Sequence, residues 1–149
     1  MPQDSTAPDL IGSTLRVIEA VNRRDLSALT LAAVPDVVWD SPPLGTTLRG
    51  IAAVRGFLED YLAAFEEYRQ DVEEIIDLGH GILYAVLRQE VRPVRGTARI
   101  ESRLAWIAEW VDGRIVRVAT YYDVAEARSA AERLAREPGR PDDQPATSG

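Results

Sequence analysis

Apolar residues recur at helical spacing near the start of the chain. From Asp9 to Arg24 they fall at every third or fourth position, and Pro8 and Asp9 supply a helix start signal. A shorter apolar segment, LSALTLAAV, follows Asp25, which can cap a helix, and Pro35 ends this segment. The pattern therefore predicts two helices before the first strand.

Two further helices are predicted downstream. One begins at Gly50 and carries a wide apolar stripe, which must face a core or a cavity. The stripe consists of Val54, Phe57, Leu58, Tyr61, Leu62 and Phe65. The other is amphipathic and covers residues 124 to 136. Asp123 stands at its capping position with Glu126 three residues later, as in a capping box, so we interpret Asp123 as a cap rather than a catalytic group.

The remaining segments alternate as strands do. A short strand over residues 36 to 45 breaks into a loop at Pro42, and four later segments are separated by turns. These four are YRQDVEEIIDL, ILYAVLRQEV, TARIESRLAWIAEW and RIVRVATYY. Helices followed by a meander predict an α+β fold: a cystatin-like cone made of a strongly curved antiparallel sheet, with helices packed over its concave face. Helices one and three would roof a small-molecule pocket.

Length and composition fit one domain. The chain has 149 residues, 46% of them hydrophobic, which is enough for one core. We assign the domain to residues 9–136 and predict that 1–8 and 137–149 are disordered, because they have no apolar face to bury. Residues 1–8 lack a secretory pattern, and no run approaches the ~20 apolar residues of a membrane span. We therefore expect a cytoplasmic protein without a membrane partner.

Charge and chemistry narrow the function classes. Seventeen basic and 24 acidic residues give a net charge of -7 without a basic run, so a nucleic-acid partner is not expected. The chain has no cysteine and a single histidine, His80, in a turn between two glycines. This composition predicts no metal site. No glycine-rich phosphate loop follows a strand, so no cofactor is predicted either.

The order of elements carries a family resemblance. The segments EAVNRRDLSALTLAAVPDVVWDSPPLG, LRGIAAVRGFLEDYLAAF and VDGRIVRVATYYD resemble the nuclear transport factor 2-like superfamily, in particular its SnoaL-like branch, over roughly residues 10 to 135. The superfamily includes ketosteroid isomerases, polyketide cyclases, limonene epoxide hydrolase and binding modules, so the fold alone names no reaction. The three functional positions of ketosteroid isomerase fall on Val17, Ser41 and Trp106. None of these can do that enzyme's chemistry.

The resemblance to limonene epoxide hydrolase is closer, and it also implies that the catalytic residues of the related enzyme are replaced here. The positions of its Asp-Arg-Asp triad fall on Thr120, Leu87 and Gln89, and its water-holding pair falls on Trp39 and Ser41. The aspartate of SnoaL-like polyketide cyclases also falls on Thr120. The shared acid/base is therefore replaced by a hydroxyl that does not ionise near pH 7.

Strand parity predicts which residues face the pocket. In the last strand it places Val116, Val118, Thr120 and Tyr122 on one face. The predicted wall, which includes positions carried over from the resemblance, is Ile18, Val21, Trp39, Ser41, Tyr61, Phe65, Leu87, Gln89, Ser102, Leu104, Trp106, Thr120 and Tyr122. An alternative with Arg88 and Glu90 inside would require a one-residue slip that also buries Tyr84.

Asp40 is the candidate catalytic carboxylate, since it lies close to the predicted pocket mouth. Parity places it outside if Trp39 and Ser41 face in, whereas a bulge before Pro42 would turn it inward as a base. An exposed strand-end aspartate is the simpler interpretation.

Two functions remain open at this point. One is an isomerase, cyclase or epoxide hydrolase acting on an apolar, oxygenated small molecule. The other is a ligand-binding or accessory module that has kept the pocket and lost the acid/base. SnoaL-like domains commonly pair through the outer sheet face, which here carries Tyr84, Ile107 and Tyr121. We therefore expect a homodimer.

Overall fold

A computed structural model describes residues 9–42 and 45–136. The predicted disordered tails, 1–8 and 137–149, lie outside the described residues. The elements are α1 (Leu10–Asn22), α2 (Ser27–Ala32), β1 (Ala33–Ser41), β2 (Thr46–Arg49), α3 (Ile51–Ala63), β3 (Phe65–Asp77), β4 (Ile82–Pro93), β5 (Ile100–Val111), β6 (Arg114–Tyr121) and α4 (Val124–Arg136). No helix in this described part combines the length and the apolar character needed to cross a membrane.

The six strands form one sheet in the order β2-β1-β6-β5-β4-β3. Strands β3 to β6 pair antiparallel, as predicted. The α+β cone is thus confirmed, with one correction: β1 pairs parallel with β6, so the sheet is mixed rather than wholly antiparallel. The edge strand β2 was not predicted. Its four residues, TTLR, contain a single apolar side chain and give no alternating signal.

Helix α1 is held at both ends. The Asp9 side chain accepts a hydrogen bond from the Gly12 backbone N–H at 2.9 Å, which satisfies one free donor of the first turn. Beyond its C-terminus, Arg24 adopts a left-handed φ of 64°. The Arg24 guanidinium donates to the carbonyl oxygens of Leu62 at 2.7 Å and Phe65 at 2.9 Å. Arg24 therefore ties the end of α1 to the end of α3.

Each face of the sheet carries its own hydrophobic cluster. On the inner face, residues such as Ile18 of α1, Val54 of α3, and Leu87 and Trp106 of the sheet form the larger cluster. On the outer face, α4 packs over β4 and β5. The outer cluster consists of Ile82, Tyr84, Val86, Ala105, Ile107, Ala127, Ala130 and Ala131. The small alanine side chains allow α4 to lie close to the strands.

This arrangement corrects the expected use of the outer face. Tyr84 and Ile107, which were expected at a subunit contact, are 1% and 2% exposed because α4 covers them. The homodimer itself stays a prediction. The rest of the outer side carries a charged belt, defined by ion pairs such as Arg88–Glu101 at 3.0 Å and Arg103–Glu73 at 2.8 Å.

A bulge changes the facing of residues at the start of β6. Glu109 pairs with Arg117 and Trp110 pairs with Ile115, which leaves Val116 as the extra residue. Ile115 therefore joins the inner cluster in place of Val116. From Arg117 onward, the predicted alternation holds.

Asp123 caps α4 as expected, since its Oδ1 accepts from the Glu126 backbone N–H at 3.0 Å. Asp123→Ala should lower the free energy of unfolding by about 1 kcal/mol, because this N–H loses its partner. Urea denaturation would measure the change. Asp60→Ala is the matched control, because Asp60 is an exposed helical aspartate that caps no helix. Equal losses in both variants would contradict the capping role.

Candidate functional site

A cavity lies between α3 and the inner face of the sheet. Its volume is about 120 Å³. It is lined by Trp39, Ser41, Thr46, Leu48, Phe57, Leu58, Tyr61, Tyr68, Gln70, Gln89, Leu104, Trp106, Thr120 and Tyr122. An apolar cavity of about 150 Å³ holds benzene, so this one has the scale of a single small ring. Phe57 and Tyr122 are 46% and 50% exposed and mark its mouth.

Aromatic rings make up much of the wall. Trp39 and Trp106 meet edge to face with ring centroids 5.7 Å apart. From the helix side, Phe57 stacks on Tyr61 at 6.0 Å, and Tyr61 contacts Tyr68 edge to face at 6.2 Å. Such pairs hold one another in fixed orientations. The cavity therefore presents rigid aromatic surfaces on both its sheet side and its helix side.

The polar groups of the wall are neutral, and several are paired with one another. Gln70 Nε2 donates to Gln89 Oε1 at 3.1 Å, and Gln89 Nε2 donates to the Tyr61 hydroxyl oxygen at 3.1 Å. On the opposite side, Trp39 Nε1 donates to Thr120 Oγ1 at 3.2 Å. These bonds orient the amides and the indole without placing a charge inside the cavity.

The backbone of Gln70 is fixed from α1. The Gln70 backbone N–H donates to Asn22 Oδ1 at 2.8 Å, and Asn22 Nδ2 donates to the Gln70 backbone carbonyl oxygen at 2.9 Å. Asn22 is the last residue of α1, so this pair of bonds joins the helix end to the middle of β3. Helix α1 thus positions a wall residue without lining the cavity itself.

Burial keeps two phenols of the wall, Tyr68 and Tyr122, uncharged at neutral pH. Burial raises the pKa of Tyr68, and the nearby Tyr61 phenol raises it further against the opposing effect of Arg24. Burial also raises the pKa of Tyr122. Within the described residues, the cavity wall contains no Asp, Glu, His, Lys or Arg. The same part of the chain holds no group of three or more His, Cys, Asp or Glu residues able to bind a metal.

Asp40 lies on the other side of β1. Its carboxylate accepts from Arg117 Nε at 3.0 Å and from the Thr47 hydroxyl at 2.8 Å. The pairing of β1 with β2 runs without a shift through Ser41, so the bulge that would turn Asp40 inward is absent. Asp40 is therefore an ion-paired residue outside the cavity, not a member of its wall.

Comparison with known proteins places this geometry in a family. Residues 14–118 match the SnoaL-like domain. The chain belongs to the SnoaL-like domain family. A search of curated proteins finds no significant match.

Solved structures with the same fold include proteins of different kinds. An NTF2-like protein of unknown function from Burkholderia pseudomallei is 26% identical, with a TM-score of 0.68 over 78% of this chain and 92% of its own. TerC, co-crystallised with polyporic acid, is 23% identical, with a TM-score of 0.66 over 82% and 97%. An LEH-like epoxide hydrolase from M. tuberculosis is 18% identical, with a TM-score of 0.64 over 83% and 89%.

The SnoaL-like cavity brings together most of the residues predicted to form its wall. Those at the wall are Trp39, Ser41, Tyr61, Gln89, Leu104, Trp106, Thr120 and Tyr122. They come from β1, α3, β4, β5 and the end of β6, where strand parity and the helical stripe both operate. Their role in ligand binding stays a prediction.

Five predicted residues lie away from this wall. Ile18, Val21 and Leu87 are 3%, 4% and 0% exposed and fill the packed core, so α1 does not roof the cavity as expected. Phe65 packs edge to face on Tyr61, with ring centroids 5.1 Å apart. Ser102 pairs with Gln89 but is exposed, beyond the edge of the cavity.

Sequence reasoning missed several wall residues for identifiable reasons. Thr46 and Leu48 belong to β2, which has no local signal. Tyr68 and Gln70 are two positions apart on β3 and therefore share one face of the sheet. Assigning the residues of β3 to faces, as was done for β4, would have identified both. Phe57, Leu58 and Tyr61 all belong to the predicted stripe, but the residues selected from it for the wall were Tyr61 and Phe65.

Thr120→Val should destabilise the fold by about 1–3 kcal/mol, because the part-buried indole N–H of Trp39 loses its acceptor while side-chain volume is kept. Thermal and urea denaturation would measure the loss. Thr97→Val removes an exposed hydroxyl and should change stability by less than about 0.5 kcal/mol. A similar result for both variants would show that the Trp39–Thr120 bond contributes nothing.

Proposed function

We propose that this protein binds an uncharged, largely apolar small molecule with an oxygen-bearing group, and that it does so without general acid/base chemistry from its own side chains. The observation that carries the proposal is the neutral wall: the described lining holds hydroxyls, amides and phenols but no carboxylate, imidazole or guanidinium. Apolar walls with a few placed polar groups are typical of small-molecule sites.

The wall favours a cyclic or aromatic ligand. Trp39, Trp106, Tyr61 and Tyr68 offer ring faces and edges against which a planar or cyclic molecule can pack. A charged ligand would lose its hydration and find no partner of opposite charge. TerC, which shares this fold, was co-crystallised with a small molecule, polyporic acid, and this supports small-molecule binding as the function.

The alternative is catalysis of the type found in the family: isomerisation, cyclisation or epoxide opening. It needs a group that accepts or donates a proton near neutral pH. Thr120 stands where related enzymes keep that group, and its hydroxyl already accepts from Trp39. Asp40 is held outside by Arg117. Binding alone is therefore the function that the site supports best.

Binding of an uncharged ligand should not depend on pH between about pH 5 and pH 8, because the described wall holds no carboxylate or imidazole. Cyclohexanone is a suitable probe, since it is a single neutral ring. Shifts of the Trp39 and Trp106 indole N–H signals in ¹H–¹⁵N NMR would give its Kd at each pH. Asp40→Asn should leave the Kd unchanged.

Thr120→Asp should make that binding pH-dependent. The apolar wall would raise the pKa of the new carboxyl, so affinity should fall as pH rises through that pKa and the charged form appears. Thr120→Asn is the matched control, because it has nearly the same shape and does not ionise. Its Kd should stay flat with pH.

One result would overturn the proposal in favour of an enzyme. The wild-type protein would show a strong pH dependence between pH 5 and pH 8, either in its Kd for cyclohexanone or in its rate of styrene oxide hydrolysis. The Asp40→Asn variant would no longer show that dependence. Such a result would mean that Asp40 reaches the cavity and acts as a base.

A further inference from the structure

Two residues of the cavity wall each carry a buried polar atom without a hydrogen-bond partner. Across the described residues, the buried side-chain nitrogen and oxygen atoms without a partner are Thr14 Oγ1, Ser41 Oγ, Gln70 Oε1 and Trp110 Nε1. Ser41 and Gln70 belong to the wall. Buried polar atoms in native proteins are nearly always paired, so an unpaired one at a cavity points to a partner that the protein itself does not supply.

Gln70 is the more informative of the two because the role of its free atom is fixed. Its side chain is buried, with the residue 4% exposed. Its Nε2 is already used by Gln89, which in turn donates to Tyr61. The backbone of Gln70 is held by Asn22. The side-chain atom of Gln70 that has no partner is its carbonyl oxygen, Oε1, which can accept a hydrogen bond and cannot donate one.

We propose that Gln70 Oε1 is the specificity-determining acceptor of this site, and that it selects ligands carrying a hydroxyl group, alcohol or phenol, over carbonyl compounds and ethers of the same shape. The inference rests on the proposed binding function. A hydroxyl hydrogen satisfies Gln70 Oε1, whereas the oxygen of a ketone or an ether brings a second acceptor and leaves it unpaired.

The surrounding groups explain why Gln70 discriminates and the other wall groups do not. Ser41, Tyr61 and Thr120 carry hydroxyls, and a hydroxyl can turn to donate or accept as the ligand requires. Turning over the Gln70 amide alone would break its bond to Gln89, and turning over both amides together would require the Tyr61 hydroxyl to donate instead of accept. Sites built to hydrogen-bond a substrate hydroxyl reject analogues that lack it, because a buried polar group is left unpaired.

Cyclohexanol and cyclohexanone provide a matched pair of probes, since both are neutral six-membered rings with one oxygen. In the wild-type protein, cyclohexanol should bind about tenfold more tightly than cyclohexanone, as expected for one buried hydrogen bond. Titration followed by ¹H–¹⁵N NMR would give both Kd values. The side-chain NH₂ signals of Gln70 should shift more with the alcohol than with the ketone.

Gln70→Leu should bring the alcohol-to-ketone affinity ratio close to one. Thr14→Val is the matched control, because it removes a buried, unpaired hydroxyl of α1 that lies outside the cavity. It should leave the ratio at its wild-type value. A melting curve by circular dichroism would establish that Gln70→Leu is folded, and if it is not, the wild-type ratio and the Gln70 shifts decide the matter.

The outcomes separate the two proposals. If neither probe shifts any cavity signal, the binding function fails. If both bind to the wild type with equal affinity, the binding function stands and the role of Gln70 is overturned. A preference for the alcohol that persists in folded Gln70→Leu also overturns it, and would assign the hydroxyl to another wall group such as Ser41.

Discussion

The pair of hydrogen bonds between the Asn22 side chain and the backbone of Gln70 is the constraint on which the inner side of this fold depends. It joins the last residue of α1 to the middle of β3. Arg24, two residues later, joins the same helix end to the last turn of α3. One short segment therefore sets the distance between two helices and a strand, and the cavity occupies the space that they do not fill.

Charged and neutral polar side chains lie on opposite sides of the sheet. The outer charged belt is built from arginine and carboxylate pairs on neighbouring strands, and Arg92 and Arg99 together hold the pKa of Glu67 below its usual value. On the inner side, the described residues of the cavity wall carry polar groups that are all neutral. This separation is what alternation on a sheet produces when one face is buried. Among the described lining residues, the cavity has hydroxyls, amides and an indole N–H as hydrogen-bonding groups.

The sequence predicts most of the local structure because periodicity and caps are local signals. Both α1 and α4 begin after the aspartates expected to cap them, Asp9 and Asp123. Parity on β1, β4 and β5 gives the correct facing of Trp39, Gln89 and Trp106. These assignments need only neighbouring residues in the chain.

The features that the sequence does not reveal are long-range. The parallel pairing of β1 with β6 joins distant segments, and β2 is a strand only because β1 offers it an edge. The amphipathic pattern of α4 shows that one face is buried but not which side of the sheet receives it. Gln70 shows the same limit, because its importance comes from bonds to Asn22 and Gln89, residues 48 and 19 positions away in the chain.

Because α4 covers the outer face of the sheet, substitutions on the two faces of β4 and β5 affect different packing clusters. Alternate residues of β4 and β5 belong to different clusters: Tyr84 and Ile107 pack under α4, while Gln89 and Trp106 face the cavity. Substitutions on opposite faces share few contacts, so their effects on stability should be close to additive. Helix α4 packs on the outer face of β4 and β5 independently of which residues face the cavity. Residues that face the cavity can therefore be substituted while the packing of α4 against the other face of the strands is kept.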